Sequence, residues 1–148
     1  MPNAAAPPTR TRRWQRGHAG LAALALAAVT GCGGSPTAQV SGRVEYADGS
    51  PITGAVRTIS FRPTDDTFAE QRRAAQGQIA EDGSFEMYTR RPGDGVYKGK
   101  YKVTVIVLKD PNLGGLLVPE RYAAIDDTPL EIEVTEDRDD LLYQIEKE

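Results

Sequence analysis

Histidine, cysteine and tryptophan each occur once in 148 residues, as His18, Cys32 and Trp14. All three fall in the first 32 positions, so the rest of the chain contains none of them. A serine or cysteine nucleophile needs a base, usually histidine, and protein zinc or copper sites draw mainly on histidine and cysteine. Those chemistries therefore lack their usual side chains beyond residue 32, and a single cysteine excludes an internal disulfide. Acid is missing from the start of the chain. No aspartate or glutamate precedes Glu45, whereas Arg10, Arg12, Arg13 and Arg16 crowd the first 16 residues. Without residues 1–31, 14 basic and 21 acidic side chains remain, a formal charge of −7 against −3 for the whole chain. That sign, with no long basic patch, argues against a nucleic-acid partner.

A long hydrophobic run is also missing. The most apolar stretch, residues 19–30, is too short to cross a bilayer, which takes about 20 residues. Basic residues 1–18, this short apolar run and small Gly31 together have the form of a cleaved export signal over residues 1–31. Val29-Thr30-Gly31-Cys32 resembles the lipobox of bacterial lipoproteins. That resemblance implies cleavage before Cys32 and diacylglycerol on its thiol. Cys32 is thus the expected lipidation site, and acylated Cys32 the expected link to a lipid bilayer. Two or more acyl chains anchor stably where one does not. Residues 32–37 would then be a short, flexible, lipidated linker. Gly33 is not an acid, which by analogy with sorting rules permits the outer membrane or the periplasmic face. The arginine pair in Thr11-Arg12-Arg13-Trp14-Gln15-Arg16 fits a twin-arginine signal in part, but Gln15 stands where that signal has a bulky apolar residue. The general secretory route and the twin-arginine route both stay open.

From Gln39 onward the hydrophobic period is two. Val40, Gly42, Val44 and Tyr46 alternate with polar residues, as do Ile59 and Phe61, Phe85 and Met87, Tyr101 to Val107, Leu130 to Val134, and Tyr143 and Ile145. Turn clusters separate these runs: Asp48-Gly49-Ser50-Pro51, then Asp82-Gly83, the strongest short-range hairpin signal in the chain. In the longest run, Ile106 interrupts the alternation, so that end is expected to be covered on both faces. The capping-box spacing at Thr67 allows a short helix to about Ala75, with an edge strand as the alternative. Residues 109–129 read as the longest loop. The expectation is an all-β domain over 38–148: a seven-stranded, antiparallel, Greek-key β-sandwich.

Val40-Ser-Gly-Arg-Val44, the Asp48-Gly49 turn, Pro51-Ile52, Gly54-Ala55, Glu81-Asp82-Gly83 and Gly99-Lys100-Tyr101 together resemble a carboxypeptidase-regulatory-like, or transthyretin-like, domain. Val118-Pro119-Glu120-Arg121-Tyr122 and Thr128-Pro129-Leu130 resemble the C-terminal half of small lipoproteins that carry it. The resemblance covers residues 38–146. It implies a transthyretin-like or Ig-like sandwich that binds or scaffolds and does no chemistry. Between Ala55 and Pro63 the chain runs two residues longer than the common spacing, which a bulge or a longer strand would absorb. A related fold includes a purine-catabolic hydrolase, but the histidines and the Tyr-Arg-Gly-Ser tail of that family have no counterpart in Tyr143–Glu148.

The remaining polar clusters have structural readings beside functional ones. Asp126-Asp127 and Glu136-Asp137-Arg138-Asp139-Asp140 are turn acids; calcium, which takes six or more oxygens, and a carboxylate pair for glycoside hydrolysis are the alternatives. Lys98, Lys100 and Lys102 share one strand face. They suit either an anionic ligand or cross-strand pairing with Glu131 and Glu133. Tyr88 and Tyr97 are candidates for stacking on sugar. No catalytic residue, metal or cofactor is assigned. The expected function is a lipid-anchored envelope protein that presents a non-catalytic domain to an envelope protein or polysaccharide. The alternatives are a structural spacer and a carboxylate hydrolase.

Overall fold

The computed structural model describes residues 35–66 and 72–148. Cys32 and the export signal lie outside these residues, as does the core of the 64–75 segment read as helix or edge strand. The described chain is almost entirely strand: β1 Thr37–Ala38, β2 Val40–Tyr46, β3 Val56–Pro63, β4 Ala75–Gln78, β5 Ser84–Glu86, β6 Val96–Tyr97, β7 Gly99–Asp110, β8 Gly114–Leu116, β9 Glu131–Val134 and β10 Arg138–Ile145, with one short helix, α1 Glu120–Ala123. None of these helical residues forms a segment long and apolar enough to cross a membrane.

The period-two pattern forms strands because it sorts side chains onto opposite faces. Tyr101, Val103, Val105 and Val107 on β7 are fully buried, as are Ile59 and Phe61 on β3. Val40, Val44, Phe85, Met87, Tyr143 and Ile145 bury the matching face of β2, β5 and β10. All belong to one hydrophobic cluster, which α1 joins through Tyr122. Three sheets frame it: β10-β2-β5, a five-stranded sheet in the order β4-β3-β7-β8 with β9 also on β7, and the small pair β1-β6. β3 pairs with β7 over eight residues, from Val56↔Leu108 to Pro63↔Tyr101, without a register shift. Residues Val56–Pro63 are thus continuous strand, with no bulge.

Five expectations are corrected. Seven strands were anticipated; β1, β6 and β8 add three short ones that carry too few residues to show a period. The pairing of β10 with β2 is parallel, not antiparallel, with a bulge between Arg138 and Leu141. The 109–129 loop contains β8 and α1. Thr37, assigned to the linker, already pairs with Tyr97. The alternation puts Thr104 on the wet face of Lys100 and Lys102, and it is buried. The Asp82-Gly83 turn forms, with Gly83 at φ 87° and the Ala80 N–H donating to the Ser84 carbonyl at 2.8 Å. Its arms then divide: β4 builds its ladder on β3, β5 builds its ladder on β2, and they rejoin at the Gln76↔Tyr88 bridge. The turn thus links two sheets.

Two positions test this packing. Tyr101 donates to the Tyr97 carbonyl at 2.6 Å and lies 5.9 Å, centroid to centroid, from Phe61. Burial pushes its phenol up to about 12. Tyr101→Ala is expected to cost about 3–5 kcal/mol in chemical denaturation, as large core truncations do; a change below about 0.5 kcal/mol would contradict the buried placement. Gly42 faces the β10 bulge, where an added Cβ would strike the Leu141 carbonyl and lie 2.6 Å from Leu141 Cβ. Gly42→Ala is expected to cost about 1–3 kcal/mol, with faster amide exchange over residues 138–145.

Candidate functional site

The entry of the chain into the fold is held by the 89–98 loop. Thr37 and Ala38 pair with Tyr97 and Val96. The Lys98 N–H donates to the Pro36 carbonyl at 3.0 Å, and Gln39 Nε2 donates to the Gly93 carbonyl at 3.1 Å. Gly95, at φ 74°, lets the loop pass so close to Ala38 that a Cβ would sit 2.6 Å from the Ala38 oxygen. Asp94 builds the loop itself. Its carboxylate accepts N–H groups of Thr89 at 2.8 Å, Arg90 at 2.9 Å and Arg91 at 3.2 Å. Desolvation pushes its pKa up, but those three donors outweigh it, and the carboxyl sits below its ordinary value. The side chains of Arg90 and Arg91 are thereby left exposed. Arg73, also exposed, stands 5.7 Å over the Tyr97 ring, within cation–π range. Tyr97 is half-buried under it, and Tyr88 accepts from Gln76 Nε2 at 3.3 Å. Tyr97 thus lies on β6, and Tyr88 at the Gln76 bridge.

The lysine row has the cross-strand partners expected of it. In the β7–β9 register Lys100 stands opposite Glu133 and Lys102 opposite Glu131. Lys100 Nζ also lies 3.7 Å from Asp66, and Lys102 Nζ donates to the Asp126 carbonyl at 3.4 Å. These residues border an open depression of about 400 Å³ lined by Thr64, Asp66, Lys100, Glu131 and Glu133. Acids outnumber bases there, so the surface does not favour an anion. Lys98 is separated from this row by its bond to Pro36 and belongs to the chain entry.

In the second acidic cluster one carboxylate holds backbone and another a side chain. Asp137 accepts the Gln39 N–H at 2.8 Å, and Asp140 accepts Arg138 Nε at 2.7 Å. Among the described residues no group of three or more potential ligands is placed to hold a metal ion. A second open depression, bordered by Arg43, Phe85, Asp139, Asp140 and Leu142, lies at the β10 bulge. Close to it in sequence, the Tyr143 hydroxyl is buried without a hydrogen-bond partner among the described residues, and desolvation raises its pKa.

The basic rim of Arg73, Arg90, Arg91 and Lys98 was not anticipated. The Arg90-Arg91-Pro92-Gly93 turn is visible in the sequence. Its position beside Pro36 depends on the β1–β6 pairing, which two residues per strand cannot announce. Comparison with protein-family models, with curated proteins and with solved structures found no match for this chain.

Three more aspartates hold turns in the same way as Asp94. Asp48 accepts from the Ser50 backbone and hydroxyl and from Lys147 Nζ, Asp82 from the Ser84 backbone and hydroxyl, and Asp110 from the Asn112 and Leu113 N–H groups. All four carboxyls lie below the ordinary 3.8. Folded values below unfolded ones mean stability that is complete above pH 3.8 and is lost as pH falls through the folded values. The thermal midpoint is expected to drop on acidification below about pH 4. Asp94→Asn should lower the midpoint at neutral pH and flatten that drop. A midpoint that rises toward pH 3 would refute the assignment.

Proposed function

We propose that the chain is a lipid-anchored envelope protein that displays a non-catalytic β-sandwich, of Greek-key, transthyretin-like type, for binding or scaffolding an envelope protein or polysaccharide. The observation that carries this reading is the spacing between anchor and fold. Cys32 ends a basic and apolar leader, and β1 begins at Thr37, only five residues later. A three-stranded and a five-stranded sheet over a single buried cluster support the sandwich.

The electrostatics support a non-catalytic role. General acid–base catalysis is most efficient with a group that titrates near the working pH. Every resolved shift among the described aspartates is downward, and every one among the tyrosines is upward. Each moves its group further from titration at neutral pH. Display to a partner is supported by Leu113, 88% exposed at the β7–β8 turn. β7 has 12 residues and spans about 35–40 Å at the usual strand rise. Its first residue follows β6, which holds the chain entry, so Leu113 lies at the end remote from the tether.

Mass spectrometry of the mature protein tests the anchor: an N-terminus at Cys32 carrying acyl mass is expected. Cys32→Ala should abolish that mass and prevent the processed, lipid-held form from accumulating in membranes. An unmodified Cys32, or an intact leader on the wild-type protein, would overturn the reading.

A further inference from the structure

Charge on this domain is unevenly placed. The chain beyond residue 31 carries −7, yet four cations, Arg73, Arg90, Arg91 and Lys98, gather where it enters the fold. Three of them are exposed and Lys98 is half-buried. Acids lie here too and keep their charge: Asp94 on three backbone N–H groups, Asp137 on the Gln39 N–H, exposed Glu136 and Asp139, and Asp140 paired with Arg138, so the cationic character rests on the outward Arg73, Arg90 and Arg91 side chains. Pro36 is bonded directly to this rim through Lys98. Three residues separate Cys32 from Pro36, and the four steps between them span at most about 14 Å. Acyl chains on Cys32 would hold the rim near the headgroup layer, at a distance comparable with the Debye length of about 8–10 Å.

We infer that the Arg73, Arg90, Arg91 and Lys98 rim docks on anionic lipid headgroups and seats the domain with its β7–β8 turn pointing away from the bilayer. This rests on the lipid-anchor reading. The charge complementarity is local: the rim is cationic, while the acid-rich remainder of the surface is repelled by the same headgroups. Each lysine or arginine held near an anionic leaflet strengthens attachment about fivefold. The rim therefore converts a swivelling tether into a preferred orientation. Arg90 and Arg91 donate to Asp94 through backbone N–H groups, which side-chain substitution keeps, while the Arg91 guanidinium also holds the Asp94 carboxyl down electrostatically.

The test uses the full lipidated protein incorporated into vesicles of phosphatidylcholine alone or mixed with phosphatidylglycerol. Amide exchange is followed over residues 89–98, with residues 110–116 as the remote reference. Slower exchange of 89–98 on the phosphatidylglycerol vesicles only, reversed by high salt, with 110–116 unchanged, is the expected result. Arg90→Glu with Arg91→Glu should abolish the slowing while the acyl mass on Cys32 is kept. Arg90→Gln with Arg91→Gln should weaken it, and guards against a folding defect in the reversed pair. Equal exchange on both vesicle types, or undiminished slowing in the reversed pair, overturns the inference while the anchor stands. A protein without acyl mass overturns the anchor reading and the inference with it.

Discussion

The structure depends on the buried face of β7. Tyr101, Val103, Val105 and Val107 are removed from water along one strand, and both edges of that strand are paired. β3 covers one edge through eight consecutive residues; β9 covers the start of the other and β8 its end. Burying four such side chains contributes several kcal/mol, at about 1.5–3 kcal/mol each. The strand's backbone polar groups have to be satisfied as well. A strand placed this centrally cannot slip by one residue, because a slip would turn every core side chain outward. Its length also separates the end that holds the chain entry from the end that carries Leu113.

Polar residues in this fold shape loops more than they form a reactive centre. Asp48, Asp82, Asp94 and Asp110 each spend their carboxylate on nearby backbone N–H groups, which makes tight turns out of flexible sequence. Lys100 and Lys102 face glutamates across the ladder. Such pairs align strands and leave little net charge behind. The exception is the rim at the chain entry, where the acids are occupied by the backbone and the arginine side chains project outward.

These two features give the molecule a direction. One end binds its own leading segment through β1 and β6 and carries the cations; the other ends in a turn with an exposed leucine. If Cys32 is lipidated as proposed, a tether of a few residues would leave the body little freedom except to swivel, and a localised charge would remove much of that freedom. Orientation, on this view, arises from short covalent reach combined with screened electrostatics, and requires no rigid linker.

The strand faces were legible in the residues because a period of two has one physical meaning: alternate side chains meet water and core. Val40, Val44, Ile59, Phe61, Tyr101, Val103 and Tyr143 were all placed inward on that ground, and the lysine–glutamate ladder followed from the same alternation. The aspartate-glycine turns were legible from local backbone chemistry. What alternation could not say was which strand pairs with which. Parallel β10 on β2, the divided arms of the Asp82-Gly83 turn and the burial of Thr104 come from long-range packing, where distant segments compete for one edge or cover one face. The cationic rim belongs with these. Arg73 and Arg90 are 17 residues apart in the chain, and only the pairing of two very short strands brings them to the point where the chain enters. Sequence alone determined which face of each long strand turns inward and where the backbone turns, because both are local; the tertiary structure decided neighbours, the second covered face at Thr104, and every surface made from more than one segment.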